Sequence, residues 1–370
     1  MRARLRSRRV CHAMAALAAA SLTVLAFAAP AAAAPKTGYD VTNLTSNQAG
    51  VANHQDPNLQ NAWGLAAGPN TPWWVADQLS DVSTDYTEDG ANLPLVVNVP
   101  GGPTGVVFNS TLSNASTSFP VSAGGTTAPA FFLFDGEDGV IRGWNPGVPP
   151  PPTSTQTEVG FSSPDGAIYK GLTISANPVR LYAADFHNGR VDVFDGNFGQ
   201  INTPGQFTDP NLPAGFAPFG IQIIGGQIFV SYAKQDADAE DEIAGQGLGF
   251  VDVFDLNGAL LDRVASRGQL NAPWGLALAP SNFGTYSGDL LVGNFGDGNI
   301  NAYAKNPNGT WHPAGQLRDS DHKLIKIDGL WALQFGHGIQ GVNGPTNTLF
   351  FTAGPDDETN GLFGSITAGT

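Results

Sequence analysis

Cysteine is almost absent from this 370-residue chain: Cys11 is the only one, and it falls within the first 33 residues. From residue 34 onward, disulfides, thiol catalysis and cysteine-ligated metal sites are excluded. A chain of this length buries enough apolar surface to do without cross-links. Long apolar runs are equally scarce. After residue 33 none reaches the roughly 18 residues that a membrane-crossing helix needs. Gly364 to Thr370 carry no hydrophobic tail or sorting motif, so release is expected rather than a membrane anchor. Positive charge is short as well. Five of the 17 Lys and Arg lie in the first 33 residues, which leaves 12 against 32 Asp and Glu, a net charge of about −20. So acidic a body argues against nucleic acid and anionic membrane surfaces as partners, since both are polyanions. Familiar catalytic motifs are missing too: there is no G-x-S-x-G elbow, H-E-x-x-H, P-loop or dinucleotide G-x-G-x-x-G. A serine hydrolase of the usual kind, a zincin, a nucleotidase and an NAD enzyme are thereby disfavoured.

What is present begins with a leader. Arg2, Arg4, Arg6, Arg8 and Arg9 precede an alanine-rich apolar stretch from Ala13 to Ala29, and small residues close it at Ala31-Ala32-Ala33. That is the three-part layout of a secretory signal peptide, with cleavage expected after Ala33. Ser7-Arg8-Arg9 also permits a twin-arginine reading, although Cys11-His12 interrupts it. Either route delivers a secreted product, extracellular or periplasmic, and residues 34–370 are expected to form one domain.

Glycine, at 47 residues, is about twice its usual share, and it punctuates a repeat. A Gly-aliphatic pair recurs at Gly64-Leu65, Gly105-Val106, Gly171-Leu172, Gly220-Ile221, Gly275-Leu276 and Gly329-Leu330, at spacings of 41 to 66 residues. Each is followed by a short apolar strand, usually ending in Asp or Asn, then commonly a Gly-containing turn and a second alternating strand. Leu181 to Asp195 and Leu290 to Tyr303 are the clearest examples. Self-similarity of this period, built from strands, predicts an all-β, six-bladed β-propeller with one repeat per blade. The Gly-aliphatic pairs are expected on the innermost strands, where glycine lets backbones approach. Tyr39 to Leu44 reads as a spare strand that completes the last blade and joins the chain ends, since closure removes exposed edges. Pro149 to Pro152 and the Thr/Ser run after them read as an insertion within the longest repeat.

Asp185 to Phe194 and Ala272 to Tyr303 resemble the repeat of the NHL propellers: an apolar strand ending Ala-Asp, then Asn, Arg and an apolar pair closing in Phe. More narrowly, Asp56-Pro57-Asn58-Leu59, Asn61-Ala62-Trp63-Gly64, Asp328-Gly329-Leu330-Trp331 and Phe351 to Glu358 resemble an uncharacterised family of secreted bacterial proteins. The resemblance covers essentially the whole chain after the leader. It implies the propeller and export, and no activity.

In a propeller blade, the turn after the second strand and the connection into the first lie on one face. A ligand-binding face is therefore expected from His54, Asp56, Asn61, Asp77, Asp135, Asp185, His187, Asn188, Lys234, Asn294, Asp297 and Asp356, with Lys170 beside them. Converging carboxylate and amide oxygens suit a hard cation such as calcium, with Asp56, Asp185, His187 and Asn294 as the candidate ligands. The competing reading is that Asp and Asn at strand ends cap their own turns. His337 should lie on the opposite face from His187, which disfavours a three-histidine zinc site with His54. Asp236 to Glu242 is the densest acidic run, but it lacks the EF-hand glycine and reads equally as a solvated loop. Trp63, Trp274, Trp331 and Phe219 either line a binding mouth or pack as core. Two functions stay open: a monomeric extracellular scaffold for a peptide, glycan or small ligand, and a metal-assisted, lactonase-like hydrolase or lyase at the channel mouth.

Overall fold

The computed structural model describes residues 38–369; the leader lies outside the described residues. Six antiparallel sheets surround one axis, and their innermost strands contact one another in a closed ring. These strands are Ala62–Ala66, Pro103–Phe108, Tyr169–Ala176, Phe216–Ile224, Pro273–Leu278 and Leu330–Phe335, which define blades 1 to 6. The second strands are buried where blade packs on blade, along their whole length in Trp73–Asp77, Phe132–Gly136 and Leu290–Asn294. The outermost strands alternate toward solvent, as Asn92–Asn98 does. The six-bladed propeller expected from the repeat is the observed fold. Among the described residues no helix is long and apolar enough to cross a membrane.

Closure takes the expected form. Tyr39–Ser46 pairs antiparallel with Leu362–Ala368 as the outer strand of blade 6, so both ends of the domain share one sheet. The longest repeat grows in two places rather than one. Residues 145–157 hold the proline run, and a hairpin of Pro120–Ala123 with Thr126–Pro129 is inserted between the first two strands of blade 2.

The glycines work at the axis. A Cβ at Gly64 would sit 2.6 Å from the Thr104 carbonyl oxygen, one at Gly220 2.0 Å from that of Trp274, and one at Gly275 2.5 Å from that of Trp331. Each is the backbone of the next blade. Blade 6 departs from the expected register. Gly329 lies before its inner strand, in a left-handed turn (φ 61°), and the position matching Gly275 is Ala332. A side chain from the second strand satisfies the freed backbone N–H at this point: Asp135 for Gly105 (2.6 Å), Ser231 for Gly220 (3.0 Å) and Thr352 for Ala332 (3.1 Å).

Gly275→Ala should therefore cost about 1–3 kcal/mol through overpacking against backbone that cannot yield, whereas Ala332→Gly should cost less than 1 kcal/mol. Calorimetric melting of the two variants checks the ordering.

Candidate functional site at the channel mouth

The axis is plugged by aromatic rings. Trp63 and Trp331, both fully buried, stack at 3.6 Å between ring centroids, and Phe295 stacks on the other face of Trp331 at 4.0 Å. Phe219 and Trp274 close on Trp331 edge to face. Burying an indole removes roughly 150–250 Å² from water, about 4–6 kcal/mol apiece. The tryptophans thus pack as core, on the axis itself. On one side of the plug a second mouth is lined by Leu65, Val106, Ile223 and His337, which puts His337 on the face away from His187, as expected.

The other mouth holds the charge. Lys170, on the inner strand of blade 3, is 1% exposed, and its Nζ lies 5.2 Å from the centroid of the Trp63 ring. The ammonium donates to Glu137 Oε1 from blade 2 and lies 3.2 Å from Asp241 Oδ1 from blade 4. Glu137 Oε2 accepts from Gln78 Nε2 of blade 1 (2.6 Å). Asn61, also of blade 1, links across to blade 6. Its Nδ2 donates to Gln78 Oε1 (3.0 Å) and Glu358 Oε2 (2.7 Å), and its Oδ1 accepts from Trp331 Nε1 (2.9 Å). Five of the six blades therefore meet at one polar cluster above the plug.

The electrostatics follow from crowding. Burial works against the Lys170 charge, but Glu137 beside it, with Glu242 and Asp241 farther off, outweighs burial and holds the ammonium above its ordinary range. Burial pushes Glu242 up to about 8; Lys170 opposes the shift, while Glu358 and Asp241 add to it. Glu358 is raised for the same first reason, against the Asn61 hydrogen bond and Lys170. Glu242 therefore keeps its proton at neutral pH beside the lysine of the cluster.

Of the twelve residues expected on this face, Asn61 is the one hydrogen-bonded into the cluster. The others serve their own turns or edges. Asp77 accepts from Thr84 (2.7 Å), Asp56 from Tyr86 (3.0 Å) and Asp185 from Asn188 (2.9 Å), with Arg190 at 3.2 Å. Asn294 donates to Asp297 (3.0 Å), and Asp356 accepts from Gln48 and Asn360 (both 2.9 Å). Lys234 lies over Phe216 at 5.5 Å. His54 sits in the outermost strand of blade 6, away from the axis. His187 Nδ1 lies 3.2 Å from the Ala239 carbonyl oxygen. Asp135 is one register off the rest, turned onto the inner strand of its own blade. The four candidate metal ligands are thus engaged separately, and among the described residues no three His, Cys, Asp or Glu side chains are arranged to hold a metal ion.

The residues that do converge lie one or two places farther on: Gln78 after Asp77, Glu137 after Asp135, Glu358 after Asp356. Most of the short Asp and Asn side chains stay with their turns while Gln78, Glu137 and Glu358 reach the axis, with Asn61 and Asp241 the short exceptions. That difference in side-chain length was the readable signal.

Lys170→Met should cost about 1–3 kcal/mol. The loss falls below the 3–5 kcal/mol of a fully buried pair because water still reaches Asp241 and part of Glu137; urea unfolding measures it. Elsewhere, burial lifts Asp135 to about 7, against the Gly105 N–H and the Thr104 hydroxyl. The folded state therefore holds its proton more tightly than the unfolded chain does. Stability from this group is complete below about pH 4 and fades as pH rises to 7. Asp135→Asn should flatten that part of a urea-midpoint profile.

Known proteins resemble the chain over most of its length. No protein-family model matches it. A crystal structure of a glucose dehydrogenase superposes with a TM-score of 0.52 at 12% identity, covering 90% of this chain and 99% of that one, which is a likeness of fold alone. Two uncharacterised proteins of Acanthamoeba polyphaga mimivirus are each 32% identical. One aligns over 341 residues (89% of this chain, 80% of the relative) and the other over 342 (89% and 85%). The resemblance read from the sequence pointed to bacterial proteins, whereas these two relatives are viral. At that identity and coverage, the chain belongs to the same family as these two mimivirus proteins.

Proposed function

We propose that the protein is an exported binding scaffold whose carboxylate mouth seats a cationic group, an alkylammonium or guanidinium, of an extracellular ligand. The leader at residues 1–33 supports export. One observation carries the ligand reading: Glu137, Asp241, Glu242 and Glu358, drawn from three blades, surround a single lysine above an indole face. Four acidic side chains against one ammonium leave the mouth rich in acceptors for a cation, even with Glu242 holding its proton near pH 7. Lys170 itself illustrates how a cation is held here, by carboxylates at its sides and an aromatic ring below. A peptide bearing Lys or Arg is the simplest ligand of this chemistry.

A second reading rests on Glu242. A half-buried carboxylic acid that titrates near 8 beside a lysine is suited to proton transfer, as a hydrolase or lyase requires.

One set of measurements separates the two. Calorimetric titration with arginine amide should show saturable binding that weakens with salt. It should also weaken about tenfold in Glu358→Gln, which removes one acidic acceptor worth roughly 1.5 kcal/mol. Absence of binding, or binding indifferent to both changes, overturns the scaffold reading. Lactone or ester turnover abolished by Glu242→Gln would establish the enzyme instead.

A further inference from the structure

The turn between the second and third strands of blade 4 is unlike its counterparts. In the other blades this turn takes three to eight residues; here it takes thirteen, 236–248. Its first half doubles back so that Glu242–Ile243 pairs with Lys234–Gln235. It then leans onto blade 3. Gln235 Nε2 donates to the carbonyls of Phe186 (2.6 Å) and His187 (3.3 Å), the Ala239 carbonyl lies 3.2 Å from His187 Nδ1, and Asp241 reaches Lys170. Within the turn, Asp236 N–H donates to the Asp241 carbonyl (2.9 Å) and Glu240 N–H to Asp236 Oδ1 (3.0 Å).

Every one of these tethers is polar. The segment carries no large buried apolar side chain, and Ile243 is 43% exposed. Its closed position rests on charge and hydrogen bonds, the pattern of an element that opens at small cost. It also brings two of its own acids, Asp241 and Glu242, toward Lys170 and Glu358.

We propose that residues 236–243 are a strap that covers Lys170 and the carboxylate mouth near neutral pH and lifts as the mouth is made alkaline. The groups that act on Glu242 are Lys170 of blade 3, Glu358 of blade 6 and Asp241 of the strap itself, with Glu137 of blade 2 beyond Lys170. Burial makes Glu242 hold its proton up to about pH 8. The closed state therefore binds that proton more tightly than the open state. Closure draws its full support from this group below about pH 4.5, the ordinary range of a free glutamate, and loses it progressively as pH rises to about 8. The new carboxylate then repels Glu358 and Asp241. As the assigned regulator of ligand access, the strap rests on the mouth being the binding site; its movement does not.

The side chain that the strap covers supplies the test. Lys170 is 1% exposed, and the Lys323 side chain is 76% exposed. Brief acetylation by an N-hydroxysuccinimide ester, read by peptide mass spectrometry, gives the ratio of Lys170 to Lys323 modification. In the parent that ratio should rise about tenfold between pH 7 and 9, following the deprotonated fraction of a group that titrates near 8. In Glu242→Gln, with an unchanged thermal midpoint, it should stay near its pH 7 value. A flat ratio in the parent, or the same rise in the variant, overturns the strap. Hydrogen exchange gives an independent measure: the opening free energy of the Asp236 amide should fall over this range while that of Val230 in the adjoining strand does not. If the strap moves as expected and arginine amide binds to neither protein, the strap stands and the binding reading falls.

Discussion

The approach of six inner strands to one axis is the constraint from which the rest of this structure follows. A Cβ at Gly64, Gly220 or Gly275 would collide with the carbonyl of the next blade, so in those three blades the ring closes because the side chain is missing. The same closeness leaves backbone N–H groups to be satisfied from within each blade, and Asp135, Ser231 and Thr352 do so in three blades with three chemistries. Ala332 shows that one blade tolerates a methyl group at this position. With the ring this tight, the axis has room for stacked indoles and little else.

Charge then collects where the packing ends. Removing a lysine from water costs several kcal/mol. Glu137, mostly shielded beside the ammonium, offsets most of that cost, and Asp241 at 3.2 Å adds less because water screens it. Lys170 therefore remains an ammonium at 1% exposure. For the excess acids the compensation is too small: burial outweighs Lys170 at Glu242, and Asn61 with Lys170 at Glu358, and drives both toward their protonated forms. The aromatic plug and the polar mouth are two results of one geometry: apolar rings fill the dry channel, and ionisable groups gather at its wet end.

Much of this architecture is written locally. Glycine spacing, strands of alternating hydrophobicity and Asp or Asn at strand ends each act over a few residues. Blade number, inner strands and the face carrying the polar loops are therefore legible from the chain, as is the closing strand at Tyr39–Ser46. Two local readings slipped. Gly329 is a turn glycine just outside its strand, and the inserted hairpin at 120–129 carries no composition that sets it apart from a loop.

The site is a different matter. Asp77, Asp185 and Asn294 look like ligands because they recur, yet they recur because every blade needs its turn held. The cluster that meets at the axis is asymmetric: two amides from blade 1, a glutamate from blade 2, a lysine from blade 3, two acids from blade 4 and one from blade 6. Local rules determined which turns face the mouth. Only the closed ring decided which side chains are long enough to touch across it, because that depends on distances between blades that no single repeat encodes.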